Sequence, residues 1–182
     1  LGGNESSLHY VCTMEEARKL IDGHDRFWVS NCGCREGKGS NCHRSRIDVC
    51  LQFHNKSAAS GTGMKEISKE EVRGLLREAE DKALVPRPFR DYDTKKITEG
   101  ICFCCDDCCG YFLNDDEICD RGEMVVHTDF SSCVHCAACV GYCYFNARKM
   151  NGDKHEFDIE KCYGCGLCVS KCPAGCISLD KR

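Results

Sequence analysis

The sequence predicts an α+β protein of two small units whose cores are organised by cysteine more than by apolar burial. Three observations lead there. First, 20 of the 182 residues are cysteine, above the roughly 8–10% at which composition alone marks a cysteine-organised chain. Second, a four-cysteine pattern occurs twice near the C-terminus at a constant offset of 29 residues. Third, the remaining apolar residues fall in short strand-like runs and in two short helical stripes, with no long uninterrupted pattern. The hydrophobic fraction of 42% counts cysteine. Without it about 31% is left, thin for a core that must form unaided.

In chain order, Thr13-Met14-Glu15-Glu16 is a capping box that opens a helix ending near Gly23. Phe27 to Ser30 reads as a short strand delivering the chain to Cys32, and Ser57 to Gly63 as a small-residue loop. Ser68-Lys69-Glu70-Glu71 is a second capping box; Val72, Leu75, Leu76 and Ala79 then form one apolar stripe on a packing helix that runs to about Ala83. Val85-Pro86-Arg87-Pro88 reads as a turn or extended connector. Towards the C-terminus, Ala147 to Met150 and His155 to Ile159 read as strands joined at Asn151-Gly152, a hairpin signal because both residues tolerate positive φ. Glu123 to Asp129 and Ile177 to Asp180 supply outer strands. The chain is read as two domains, a small cysteine-rich α+β one over residues 1–122 and a second over 123–182.

Charge and hydropathy exclude several function classes. The net charge is −4; residues 1–132 carry 18 Lys and Arg against 24 Asp and Glu, and residues 133–182 carry 7 against 5. Neither part is a polyanion binder, and no nucleic-acid partner is expected. The local basic cluster Arg35, Lys38, Arg44 and Arg46 reads as a solvated loop. No run approaches the roughly 20 apolar residues that span a bilayer, and Leu1 to Tyr10 has neither the basic nor the apolar region of a leader. The expected location is the cytoplasm.

Cysteine at this density means either a disulfide framework or thiolate ligation of metal, and spacing decides between them. Cys133, Cys136, Cys139 and Cys143 follow C-x2-C-x2-C-x3-C, and so do Cys162, Cys165, Cys168 and Cys172. Disulfides give no reason for so strict a duplication with alanine and glycine fillers, and zinc knuckles do not need three cysteines in succession at this spacing. The pattern, with Cys172-Pro173 completing the second copy, resembles the bacterial-type two-cluster ferredoxins over about residues 123–182. The resemblance implies a ferredoxin-like fold of short strands and helices around two 4Fe-4S clusters, with the fourth cysteine of each copy serving the other cluster. It assigns Cys133, Cys136, Cys139 and Cys172 to one cluster, and Cys162, Cys165, Cys168 and Cys143 to the other. Ala137, Ala138, Gly164 and Gly166 let backbone N–H groups approach the clusters, which favours the reduced form. Tyr144 departs from the family's proline in the first copy, and Cys176 stands where the first copy has Ala147.

Eleven cysteines precede residue 122. Cys32, Cys34, Cys42 and Cys50 form one patch and Cys102, Cys104, Cys105, Cys108 and Cys109 another; a folded-back helix between them would let the two meet in one or two four-thiolate sites. Neighbours such as Cys104-Cys105 do not both point at one ion, so the nine exceed the need of one site. The block from Asn31-Cys32-Gly33-Cys34-Arg35 to Ile101–Gly110 resembles poorly characterised iron-sulfur proteins of anaerobes that carry it ahead of a two-cluster ferredoxin domain. Three readings stand open for these nine: a further iron-sulfur cluster, zinc, or thiols that are free or paired. His43 and His54 could replace thiols in a mixed site. Cys12, Cys119 and Cys176 read as small hydrophobes, and His135 as solvent-facing or as a tuner of potential.

Function follows from the ligand sets. An electron-transfer protein or subunit working to or from a redox enzyme, or another electron carrier, fits them first. A redox enzyme or enzyme activator with chemistry at an N-terminal cluster or thiols is one alternative, and a redox-sensing interaction module with structural zinc is another. No nucleotide-binding glycine loop, flavin site, or set of nucleophile, base and orienter is visible.

Overall fold

The computed structural model describes residues 6–39, 41–56, 61–114 and 118–182. A seven-stranded sheet runs from His9 to Asp120. It comprises β1 (His9–Tyr10), β2 (Phe27–Ser30), β3 (Cys50–Gln52), β4 (Lys65–Ile67), β5 (Val85–Arg90), β6 (Thr98–Cys104) and β7 (Cys119–Asp120), in the order β4-β2-β3-β6-β5-β1-β7. Each neighbouring pair is antiparallel except β1 with β7. The helices between the strands are α1 (Met14–Asp22), α2 (Gly33–Gly37), α3 (Lys69–Asp81) and α4 (Gly110–Leu113). The result is a mixed helix and sheet protein with short helices, as the composition led one to expect.

Both capping boxes form: Thr13 and Ser68 accept from the N3 backbone while Glu16 and Glu71 reach back to the cap. Each satisfies helix-terminal donors that have no partner within the helix. The stripe Val72, Leu75, Leu76 and Ala79 is buried, joined by Ala17 and Ile21 of α1 against Phe27, Val29, Leu51, Ile101 and Phe103 of the sheet. Strand alternation then dictates the other face. With Leu51 opposite Ile101 and Arg87 opposite Cys102, the residues Ser30, Cys50, Gln52, Cys102, Cys104 and Arg87 share the side away from this core. The run Ile101-Cys102-Phe103-Cys104 thus divides apolar residues to one face and thiols to the other.

The segment at Val85-Pro86-Arg87-Pro88, expected to be a connector, is part of strand β5 inside the sheet. Its even-numbered residues face β1, where the Cys12 N–H donates to the Pro86 carbonyl and the Arg90 N–H donates to Leu8. The two prolines therefore lack N–H groups only on the side of the two-residue strand β1, and the ladder to β6 is continuous from Val85 to Phe89 before its register shifts between Phe89 and Arg90. Gly100 allows the close packing here, since a Cβ on it would meet the Leu51 carbonyl at 2.3 Å and Phe89 at 2.4 Å. Of the loop expected at 57–63, residues 57–60 lie outside the described residues.

The C-terminal part has two ribbons. β8 (Met124–Thr128) pairs with β11 (Ile177–Lys181), and β9 (Arg148–Asn151) with β10 (Lys154–Phe157) through the Asn151-Gly152 turn; α5 is Leu167–Ser170. Shifted by 29 residues, β8 falls on β10 and β9 on β11, so each ribbon joins one strand from each copy of the repeat. The backbone repeats too: positive φ occurs at His135, Ala137 and Asn146, and again 29 residues on at Gly164, Gly166 and Gly175. Gly164 is obligatory, with φ +78° and the Met124 carbonyl 2.0 Å from where a Cβ would lie.

Val11, Ala83, Val85 and Cys119 of the first part pack with Tyr144 and Leu167 of the second, surrounded by Tyr111, Phe112, Phe145 and Tyr163. Phe145 stacks on Tyr163 at 4.5 Å, and Tyr111 meets Tyr163 edge-on at 6.0 Å. This contact accounts for Tyr144 in place of proline. Its ring carries the Arg44 guanidinium at 4.9 Å, and its hydroxyl donates to the Ala83 carbonyl at 3.0 Å. Among the described residues no helix is long and apolar enough to cross a membrane.

Candidate metal centres

All 20 cysteines are free thiols in the structure. The eight repeat cysteines sort into two groups of four. Cys133, Cys136, Cys139 and Cys172 line one cavity with Thr128, His155 and Cys176. Cys143, Cys162, Cys165 and Cys168 line a second with Arg148, Tyr163 and Gly164. In both groups three thiols come from one loop and the fourth from the other copy of the repeat. The loops take their shape from the paired left-handed residues, which turn the chain tightly enough for three successive thiols to converge.

A buried cation lies between the two groups. Arg148, 3% exposed, directs Nη1 to Cys139 Sγ at 3.9 Å and to His155 Nε2 at 3.3 Å, while Nη2 donates to Thr128 Oγ1 at 3.1 Å. The same guanidinium reaches Cys168 of the second group. His155 Nε2 lies 3.6 Å from Cys139 Sγ. His135, half-buried, accepts the His155 backbone N–H on Nδ1 at 3.0 Å and so braces the ribbon against the first loop. Cys176 is buried as expected, and its sulfur sits 3.5 Å from Cys172 Sγ, at the wall of the first cavity.

The nine N-terminal thiols meet, and they do so in two places. On the sheet face away from α1 and α3, Cys32, Cys34, Cys50, Cys102, Cys104 and Cys109 line a cavity of about 260 Å³ together with His9 and Arg87. Cys50 and Cys102 stand 3.9 Å apart across β3 and β6. Arg87, 2% exposed, donates through Nη1 to Cys109 Sγ at 3.1 Å and to Cys104 Sγ at 3.8 Å. It also meets Cys119, so that residue, read as an isolated hydrophobe, borders the site. Burial, with the Arg87 charge adding to it, holds His9 down at about 4, hence neutral at pH 7.

At the end of the sheet on the helix side, Cys42, Cys105 and Cys108 form a triangle with edges of 3.6, 3.4 and 3.4 Å. The adjacent pairs Cys104-Cys105 and Cys108-Cys109 each split between the two places, for the reason read from the sequence. Arg35 does not belong to a solvated loop: it is 1% exposed and lies against the triangle. The rest of the basic cluster clamps the Cys42 loop, with Lys38 paired to Asp107, Arg44 to Asp106 and Arg46 to Glu78. His43 is exposed and His54 pairs with Glu99; neither joins a thiol group. Arg87 and Arg148 are site residues that sequence reasoning did not single out, and Arg35 is one that it assigned to a solvated loop. The only signal for Arg87 and Arg148 is that each occupies an alternating, inward position of a strand.

The thiol sets suit iron-sulfur clusters in donor chemistry: sulfur ligands grouped around cavities, each with a buried guanidinium to offset cluster charge. Comparison with known proteins agrees for the C-terminal part. Residues 132–176 match the family described as 4Fe-4S dicluster domain. The chain is 36% identical over 54 residues to the delta subunit of NADH-dependent phenylglyoxylate dehydrogenase from Aromatoleum evansii, covering 30% of this chain and 58% of that protein. It is 30% identical over 54 residues to pyruvate synthase subunit PorD of Methanothermobacter marburgensis, covering 30% of this chain and 63% of that protein. The chain thus spans less than two thirds of the length of these curated relatives. No solved structure matches it. The C-terminal part thus has a ferredoxin-type fold and matches a 4Fe-4S dicluster domain over residues 132–176, preceded by a cysteine-rich block that these matches leave unnamed.

Proposed function

We propose that this chain is an electron-transfer protein or subunit, passing electrons through two 4Fe-4S clusters in residues 123–182 and a further iron-sulfur centre in residues 1–122, to or from a redox enzyme. Cys133, Cys136, Cys139 and Cys172 hold one cluster, and Cys162, Cys165, Cys168 and Cys143 the other. The observation that carries the reading is the sorting of these eight thiols into two cavities, with the fourth member of each exchanged between the copies. We assign the third centre to the six thiols around Arg87, which line a cavity of about 260 Å³.

A 4Fe-4S cluster bound by four thiolates exchanges one electron and leaves no iron free for substrate. The residues of the chain supply the rest. Arg148 and Arg87, both buried, offset negative charge in a setting of low dielectric. Cys109-Gly110-Tyr111 leads from the six-thiol cavity to Tyr163, which stands between the ligands Cys162 and Cys165. That short packed route is the reason to read three centres as one conductor. Both relatives are named as subunits of larger enzymes, a dehydrogenase and a synthase; by that likeness we place the partner of this chain among oxidoreductases.

The test is iron and acid-labile sulfide per chain in anaerobically prepared protein, with paramagnetic resonance after reduction. About twelve irons support three clusters and about eight support the C-terminal pair alone. Fewer than about seven in fully loaded protein overturns the two-cluster assignment.

A further inference from the structure

We propose that Cys42, Cys105 and Cys108 form a separate site for one tetrahedral thiophilic divalent ion, zinc in class, whose charge is balanced by the buried Arg35. The proposal rests on the reading above that the N-terminal thiols bind metal, and it divides them by chemistry: six for a cluster, three for a single ion.

Geometry is the first argument. Each of the three sulfurs lies within 4.8 Å of both others, with edges of 3.6, 3.4 and 3.4 Å. Thiolates on one tetrahedral zinc at about 2.3 Å stand roughly 3.8 Å apart. A cubane puts each thiolate on a different iron and spreads them much further. The six-thiol group also holds a close pair, Cys50 and Cys102 at 3.9 Å, but it surrounds a cavity of about 260 Å³.

Charge is the second. Arg35 is 1% exposed; its Nη2 donates to the Phe103 carbonyl at 3.2 Å and reaches Cys105 Sγ at 3.7 Å, while Nε and Nη1 have no hydrogen-bond partner. A buried guanidinium facing neutral thiols is an uncompensated charge. Three thiolates on a divalent ion carry one net negative charge, which the guanidinium cancels. The nearby carboxylates do not perform this service, since Asp106 is held by Arg44 and Asp107 by Lys38.

Sequence separation is the third. Cys42 lies on one loop and Cys105 and Cys108 on another, so one ion would fasten the chain before α3 to the chain after it. Asp107 already bridges the two loops by accepting the His43 N–H at 2.9 Å, which pre-sets the loop spacing. Among the described residues the group has three members, leaving the fourth position of the tetrahedron to water or a small donor.

The experiment uses the full chain prepared anaerobically with iron and zinc both supplied. Zinc, iron and sulfide are measured on one sample, and the zinc environment by X-ray absorption at the zinc edge. The expected result is about one zinc per chain in a shell of three sulfurs at about 2.3 Å and one lighter atom. Cys42→His should retain zinc and replace one sulfur by nitrogen at about 2.0–2.1 Å. Arg35→Met should weaken zinc retention against a chelator by about 10–100-fold, with iron unchanged. Zinc absent from protein with eight or twelve irons overturns this site and leaves the electron-transfer reading standing; one zinc with little iron does the reverse. Loss of about four irons in Cys105→Ser places the triangle in a cluster and overturns the proposal, as does an unchanged zinc shell in Cys42→His.

Discussion

The Arg148 guanidinium lies 3.9 Å from Cys139 Sγ, buried between the two thiol groups of the C-terminal domain and in reach of Cys168 on the other side. A cation there stabilises the more negative, reduced state of whatever cluster these sulfurs hold, and low local dielectric keeps the effect from being screened. Arg148→Met should therefore lower the reduction potential on the order of 60 mV, the equivalent of a tenfold change in a one-electron equilibrium. Arg148→Lys should recover part of it. Spectroelectrochemical titration of both variants checks this; a potential that stays put in Arg148→Met would show that the guanidinium only packs.

Tyr144 binds the two parts together. Removing its hydroxyl leaves the buried Ala83 carbonyl, which accepts that O–H at 3.0 Å, without its donor. Tyr144→Phe should cost about 1–2 kcal/mol in denaturant unfolding while iron content is unchanged. An equal loss of iron would mean that the residue acts on the cluster loop and not on the contact.

Two glycines with similar φ separate clash from backbone strain. Gly152 at φ +58° has open space where a Cβ would go, whereas Gly164 at φ +78° would drive one to within 2.0 Å of the Met124 carbonyl. Gly152→Ala should cost about 1 kcal/mol, and Gly164→Ala at least about 3 kcal/mol together with the iron bound by its loop. Unfolding and iron analysis of the pair will show whether the ranking holds.

Asp120 links stability to pH. Burial opposes its ionisation, but the hydrogen bonds from Ser7 and Arg90 outweigh this and hold the carboxyl below its usual range. The unfolded chain takes up the proton first, so the contribution is complete above about pH 4 and is lost as pH falls through the lowered native value. Asp120→Asn should be about 1 kcal/mol less stable than the parent at pH 7, and the gap should close on acidification. Urea unfolding followed by Trp28 fluorescence after pH jumps measures it; a gap independent of pH would assign the loss to packing.

Much of the fold was legible because the signals are local. The two capping boxes, the stripe on α3 and the Asn151-Gly152 turn each act within a few residues, and the structure has all of them. The β5 prolines misled because their effect depends on a neighbour: Pro86 and Pro88 are tolerated only because β1 beside them is short. Arg35 misled for the same reason, since nothing in its own segment says that Phe103 and Cys105 will enclose it.

By itself the sequence determined the chemistry of this protein: twenty thiols, eight of them in a duplicated pattern whose spacing is a property of one loop. Only the tertiary structure decided how nine of the remaining twelve, the N-terminal candidates, divide. Cys104 and Cys105 are adjacent in the chain and part company at a strand end, where alternation sends one to the cavity beside Arg87 and the other to the triangle beside Arg35. Their partners, Cys50 and Cys102 across β3 and β6, and Cys42 with Cys108, are about fifty or more residues apart in sequence. Long-range pairing of strands sets such distances, and no local pattern encodes them.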